Sequence, residues 1–144
     1  MISNHTTNPS IVTCDKAVAA VEFALVLPIL ILVLFAIVEL STLLYDKSVI
    51  TNASREAARV AVVNTSITDG EIQTFAINYC QNKLITFGSK ANPTVSIARP
   101  LGSNSGNPII VTVSYSFTGL LLGQLIQPTN WSQLLSASTT MNFE

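Results

Sequence analysis

The stretch from Ala17 to Val38 reads AVAAVEFALVLPILILVLFAIV and carries a single charge, Glu22. Wound as a helix at 1.5 Å per residue, it spans roughly 33 Å, about the thickness of a bilayer's hydrocarbon core. It is apolar on every side, so it cannot bury one face in a core and show another to water. A fully buried core helix and a cleaved secretory signal peptide compete with a membrane span. The region before it, Met1–Lys16, is long and barely basic, and no clear A-x-A site follows the run. The residues after Val38, ELSTLLYDKSV, look like a helix continuing into water. An uncleaved signal anchor with one span and a C-terminal domain beyond it accounts for all of this. Flanking charge does not choose an orientation, because Lys16 has Asp15 beside it while Lys47, Arg55 and Arg59 lie on the other side. Pro28 falls inside the run; it would break a helix in water and is tolerated as a kink in a membrane.

The rest of the composition narrows the chemistry. The chain has 144 residues, room for one ordinary domain, and only 10% of them are charged. Mean hydropathy is +0.50. With 7 Lys+Arg against 8 Asp+Glu there is no cationic excess to neutralise a phosphate backbone, which disfavours nucleic acid as a partner. One histidine, His5, precedes the span and cannot join a nucleophile system in a domain across the membrane. No HExxH, P-loop or GxGxxG pattern occurs. The two cysteines, Cys14 and Cys80, lack metal-ligand spacing, and a disulfide between them is not expected. No catalytic residues, no metal and no cofactor are expected, and the chain does not read as an enzyme.

Met1–Cys14 is polar and aperiodic, as in a disordered leader. From about Val18 to Val63 the spacing predicts one continuous helix of roughly forty residues. Its first half is apolar all round. Its second half carries Leu43, Leu44, Val49, Ile50, Ala53, Ala57, Val60 and Ala61 at helical spacing, with Asp46, Lys47, Asn52, Arg55, Glu56 and Arg59 mostly on other faces. Thr68 and Glu71 have capping-box spacing, opening a second helix through Ile72, Phe75, Ala76, Tyr79, Cys80 and Leu84 that ends near Gly88. Three alternating runs follow, 94–99, 108–117 and 133–143. In the middle run Ile109, Val111, Val113, Tyr115 and Phe117 share one face. Residues 119–131, GLLLGQLIQPTNW, read either as a loop tucked into the core or as an exposed sticky patch for a partner or a membrane surface. The fold class is α+β: a long N-terminal helix, a second short helix, and a small antiparallel sheet of about three strands packed on the long helix's soluble half.

The N-terminal segment is also similar to a known family. Val21-Glu22-Phe23-Ala24, the Leu-rich stretch with Pro28, Glu39, and Asn52-Ala53-Ser54-Arg55-Glu56-Ala57-Ala58-Arg59 together resemble the signature of TadE-like proteins. These are minor pilins or pseudopilins of tight-adherence (Flp, type IVb) pilus systems. The ending Met141-Asn142-Phe143-Glu144 is similar to family C-termini as well. The resemblance implies trimming by a prepilin peptidase between Ala17 and Val18, which makes Glu22 the fifth residue of the mature chain. The family usually has Gly before the cut, where this chain has Ala17. The resemblance further implies that Glu22 pairs with a neighbour's free amino terminus, with Phe23 and Pro28 contributing to helix packing in the assembly.

On this basis residues 1–17 form a cytoplasmic leader that is removed, 18–40 a transmembrane helix, and 41–144 a pilin-like ectodomain. The expected partners are other pilins, pilus assembly proteins, the prepilin peptidase and the lipid bilayer. The expected location is the bacterial inner membrane, single-pass, with the C-terminal domain periplasmic or extracellular. A non-polymerising signal-anchored envelope binding or assembly-platform protein is the alternative.

Overall fold

A computed structural model describes residues 10–64, 66–87, 91–119 and 132–143. The elements are α1 (Ser10–Val63), α2 (Asp69–Cys80), β1 (Thr94–Ala98), β2 (Pro108–Thr118) and β3 (Ser132–Asn142). The fold is α+β, as the periodicity predicts. Contacts divide the chain into two compact units, with the boundary between Ile37 and Val38.

In the first unit α1 begins at Ser10, earlier than the Val18 start expected from the apolar run. Extension costs little once a helix is nucleated, so the apolar segment carries its polar neighbours with it. Pro9 stands just before this start and has no N–H to give a preceding turn. The helix runs through Pro28 without ending. Its most apolar 18-residue stretch has a mean hydropathy of 3.0 and is wholly unburied, and it is long and apolar enough to cross a membrane.

The second unit, the head, is built on the remainder of α1. Val49, Ile50, Ala53, Ala57, Ala58 and Ala61 are buried along one stripe of that helix. Most are alanines, so the larger side chains of the facing sheet supply the bulk of the core. The sheet is antiparallel in the order β1-β2-β3. Val111 pairs with Ile97 on one side and with Thr139 on the other. In β2, Ile109, Val111, Val113, Tyr115 and Phe117 are buried and the alternate residues are half-buried, the face assignment that alternation predicts. Burying a side chain such as Phe117, Ile109 or Ile50 contributes about 1.5–3 kcal/mol each.

α2 is set by its first turn. Thr68 is the N-cap, the Glu71 amide donates to its hydroxyl, and the Glu71 carboxylate accepts from the Thr68 amide at 2.9 Å. The helix stops at Cys80 rather than near Gly88, and Asn82 then takes a φ of 64°. Asn tolerates this left-handed conformation better than most residues, and it turns the chain out of the helix. Leu84, expected on the helical stripe, therefore lies in the following segment, still packed against the core. Between β1 and β2 the chain turns through Gly102 and Gly106, each at φ 84°. The Gly106 amide donates to the Phe143 carbonyl at 2.7 Å, and the Phe143 amide donates to the Asn107 carbonyl at 2.9 Å. These bonds fasten the last strand to the turn. Gly119 is buried; the rest of the 119–131 segment, and His5, lie outside the described residues.

Candidate assembly and membrane surfaces

The residues singled out on the N-terminal helix all project from it. Ala17, Val18, Glu22, Phe23 and Pro28 are exposed. Ala17, Val18, Val21 and Glu22 line one open hollow, because positions i, i+1, i+4 and i+5 share a helix face. The bond between Ala17 and Val18 and the Glu22 carboxylate are thus on the same side of α1. Phe23 and Pro28 are not part of that hollow. Exposed large apolar side chains continue along the helix from Val18 to Val38 and then through Leu40, Leu44 and Tyr45. Leu44, expected on the stripe that packs under the sheet, is turned outward instead.

Two acidic residues behave differently from the expectation that α1's charges lie off the packed face. Asp46 is 0% exposed and Glu39 is 4% exposed. Asp46 precedes Ile50, Ala53 and Ala57 by four, seven and eleven residues, the spacing of the buried stripe itself. That spacing is the sequence signal for its burial. Asp46 Oδ1 accepts the Ile85 amide at 2.9 Å, which ties the segment after α2 to α1. Asp46 Oδ2 is buried with no hydrogen-bond partner among the described residues. Desolvation pushes the Asp46 carboxyl above its ordinary pKa, and the Ile85 amide offsets part of that.

Neighbouring groups are neutral. The Tyr115 phenol is held above its usual value by burial, opposed by a hydrogen bond with the Thr86 side chain and reinforced by the Asp46 charge. The Cys80 thiol is buried and free, and desolvation raises it, with Lys83 pulling the other way. Cys80, Thr86, Pro93 and Tyr115 border a cavity of about 250 Å³. Burial thus keeps both the thiol and the phenol protonated near neutrality.

The remaining charges tie elements together. Arg59 pairs with Glu56 at 2.8 Å, the i,i+3 pair expected from sequence. Arg99 pairs with Asp69 at 2.8 Å, reaches the Ile67 carbonyl, and lies over the Phe143 ring at 5.9 Å. It fastens α2's start to the β1–β2 turn and the chain's end. Lys47 donates its ammonium to the Ser136 carbonyl of β3. The Ser54 hydroxyl meets the Thr139 hydroxyl at 2.7 Å.

Among the described residues one helix, near the N-terminus, is long and apolar enough to cross a membrane. The family model described as TadE-like protein matches residues 17–59, the apolar run and the first turns under the sheet. Over that segment the chain is similar to TadE-like proteins. No curated protein and no solved structure matches the chain.

Proposed function

We propose that the protein is a minor pilin or pseudopilin that takes part in assembling a tight-adherence pilus. The observation that carries this is the match over residues 17–59, which joins an exposed apolar helix containing Glu22 to the buried alanine stripe of the head. On this proposal the head lies on the periplasmic or extracellular side of the inner membrane. A prepilin peptidase cuts between Ala17 and Val18, and α1 packs laterally against the helices of other pilins. Glu22 then supplies a counter-charge for a neighbour's new amino terminus. Two opposite charges in a low-dielectric bundle offset part of each other's desolvation and penalise a wrong register. The protein binds and assembles, and turns over no substrate.

Intact mass and N-terminal sequencing of the protein from its native envelope test the first step; the expected chain begins at Val18. Glu22→Ala tests the second. The variant is expected in the membrane at wild-type level, with its head as stable as before, but depleted from assembled filaments or assembly complexes. Normal incorporation of Glu22→Ala would overturn the pairing role.

A second reading is favoured by one observation: the Ala17–Val18 bond lies within α1 rather than in an extended segment. Peptide bonds held in a helix resist proteolysis better than those in loops. An uncut chain still carrying Met1–Ala17 would identify a signal-anchored envelope binding or assembly-platform protein that does not polymerise.

A further inference from the structure

Within the head, the chain leaves α2 at Cys80 and passes the cavity of about 250 Å³ before it enters β1. Gln81, Asn82 and Thr86 border this cavity from the segment after α2, Asn92 from the approach to β1, and Tyr115 from β2. Cys80 and Tyr115 are buried, whereas Gln81, Asn82 and Asn92 are exposed. The cavity thus has a buried floor and a mouth bordered by amide-bearing residues.

Among the described residues, no Asp, Glu, Lys or Arg lines it. Lys83 stands between two lining residues in sequence, but its ammonium is held 3.6 Å from the centre of the Tyr79 ring. Asp46 acts on the Tyr115 phenol from within the core and does not border the cavity. The side chains of Gln81, Asn82 and Asn92 make no hydrogen bond among the described residues. Each primary amide offers two donors and an acceptor. Three uncommitted amides therefore surround one uncharged cavity, with a phenol and a threonine hydroxyl beside them.

This lining selects a class of ligand. A charged group entering it would lose water without gaining a counter-charge. Amides and hydroxyls both donate and accept, and a sugar hydroxyl does the same. Leu84 and Pro93 add apolar wall for the C–H groups of a ring. Pockets for drug-sized ligands run ~300–1,000 Å³, so this smaller cavity suits a single ring.

We propose that the cavity is a binding site for one neutral monosaccharide unit, either free or at the end of a glycan. Gln81, Asn82 and Asn92 bind ring hydroxyls at the mouth, and the Tyr115 phenol with Thr86 meets the hydroxyl that reaches the floor. The site lies in the head and uses none of the residues assigned to lateral packing of α1, so it stands or falls separately from pilus assembly.

NMR of the isotope-labelled full chain tests this, in a phosphocholine detergent that carries no sugar headgroup. The probes are glucose, galactose and N-acetylglucosamine, the methyl glycoside of each, and glucuronate and glucosamine as charged counterparts. At least one neutral sugar is expected to move the side-chain amide signals of Gln81, Asn82 and Asn92 saturably. Its affinity is expected to be millimolar, as for about a dozen heavy atoms at ordinary ligand efficiency. Asn82→Gly removes an amide at a residue whose φ of 64° glycine accepts readily. Asn82→Gly and Asn92→Ala are each expected to weaken binding about 2- to 10-fold, with the signals of Ile50 and Phe117 unmoved. Binding of a methyl glycoside as well as its free sugar supports the glycan end as the ligand, and binding of the free sugar alone supports a soluble one. Absence of saturable shifts with every neutral probe would overturn the proposal and leave a packing gap. Shifts that persist at full strength in both variants would place the binding elsewhere and overturn it too. Preference for glucuronate or glucosamine would overturn the neutral class.

Discussion

Asp46 shows how one residue can set the pH response of a small domain. Its carboxylate is removed from water, keeps one amide partner and leaves Oδ2 without one. Because burial raises its pKa in the folded state, the folded state holds a proton where the unfolded chain has lost it. The penalty is absent below the ordinary aspartate value, grows as pH rises toward the raised value, and is complete above it. Glu71 works in the opposite sense: hydrogen bonds from the Thr68 amide and hydroxyl hold its carboxyl below the usual range. Its stabilisation is present above the ordinary glutamate value and is lost as pH falls through the lowered one. The head is therefore expected to be most stable in mild acid and less stable at neutral pH. Thermal unfolding in detergent from pH 4 to pH 8 measures this, and Asp46→Asn is expected to flatten the neutral side of the profile. An unchanged slope in that variant would mean that some other group carries the titration.

The elements owe their ends to local chemistry and their places to packing. Thr68 and Glu71 are three residues apart, and the reciprocal bonds expected of them form. Thr68→Ala removes the cap and is expected to cost about 1 kcal/mol, read from a denaturant titration. The second half of α1 is ordered by the sheet it carries. Ala53, Ala57 and Ala61 are wholly buried in the core of the head, so a longer side chain must displace its neighbours. Ala57→Leu is expected to destabilise by about 1–3 kcal/mol or to displace the sheet, although leucine is a good helix former. Retained stability in that variant would mean that the helix and sheet part easily. The two sheet edges also differ. β1 is 5 residues long with Pro93 just before it and Pro100 shortly after, whereas β3 runs 11 residues without a charge or a proline. Lys47, reaching over from α1 to the Ser136 carbonyl, is the kind of device that keeps such an edge from pairing with another chain.

At the scale of the whole molecule, the apolar run, the forty-odd residues of helix, the capping box and the strand alternation all had legible signals in the sequence. Each depends on spacings of two, three or four residues, which backbone geometry converts directly into faces. The candidate residues at Ala17, Val18, Glu22, Phe23 and Pro28 came instead from the resemblance to a known family, whose model spans that stretch. The sequence by itself therefore determined that one segment suits a membrane, that a small α+β head follows, and which face of β2 is buried. Tertiary structure decided the rest. Asp46 reads as a surface charge until Ile85, 39 residues later, brings an amide to it and Tyr115 comes alongside. Leu44 reads as core until the sheet settles over Val49, Ile50 and Ala53 and leaves it outside. Arg99 finds Asp69 and Phe143 only once the chain has turned back on itself. Local periodicity fixes which side of an element is apolar. Which apolar sides meet, and which charges are caught between them, depends on contacts between residues far apart in the chain, whose closure entropy is met only by the packed core as a whole.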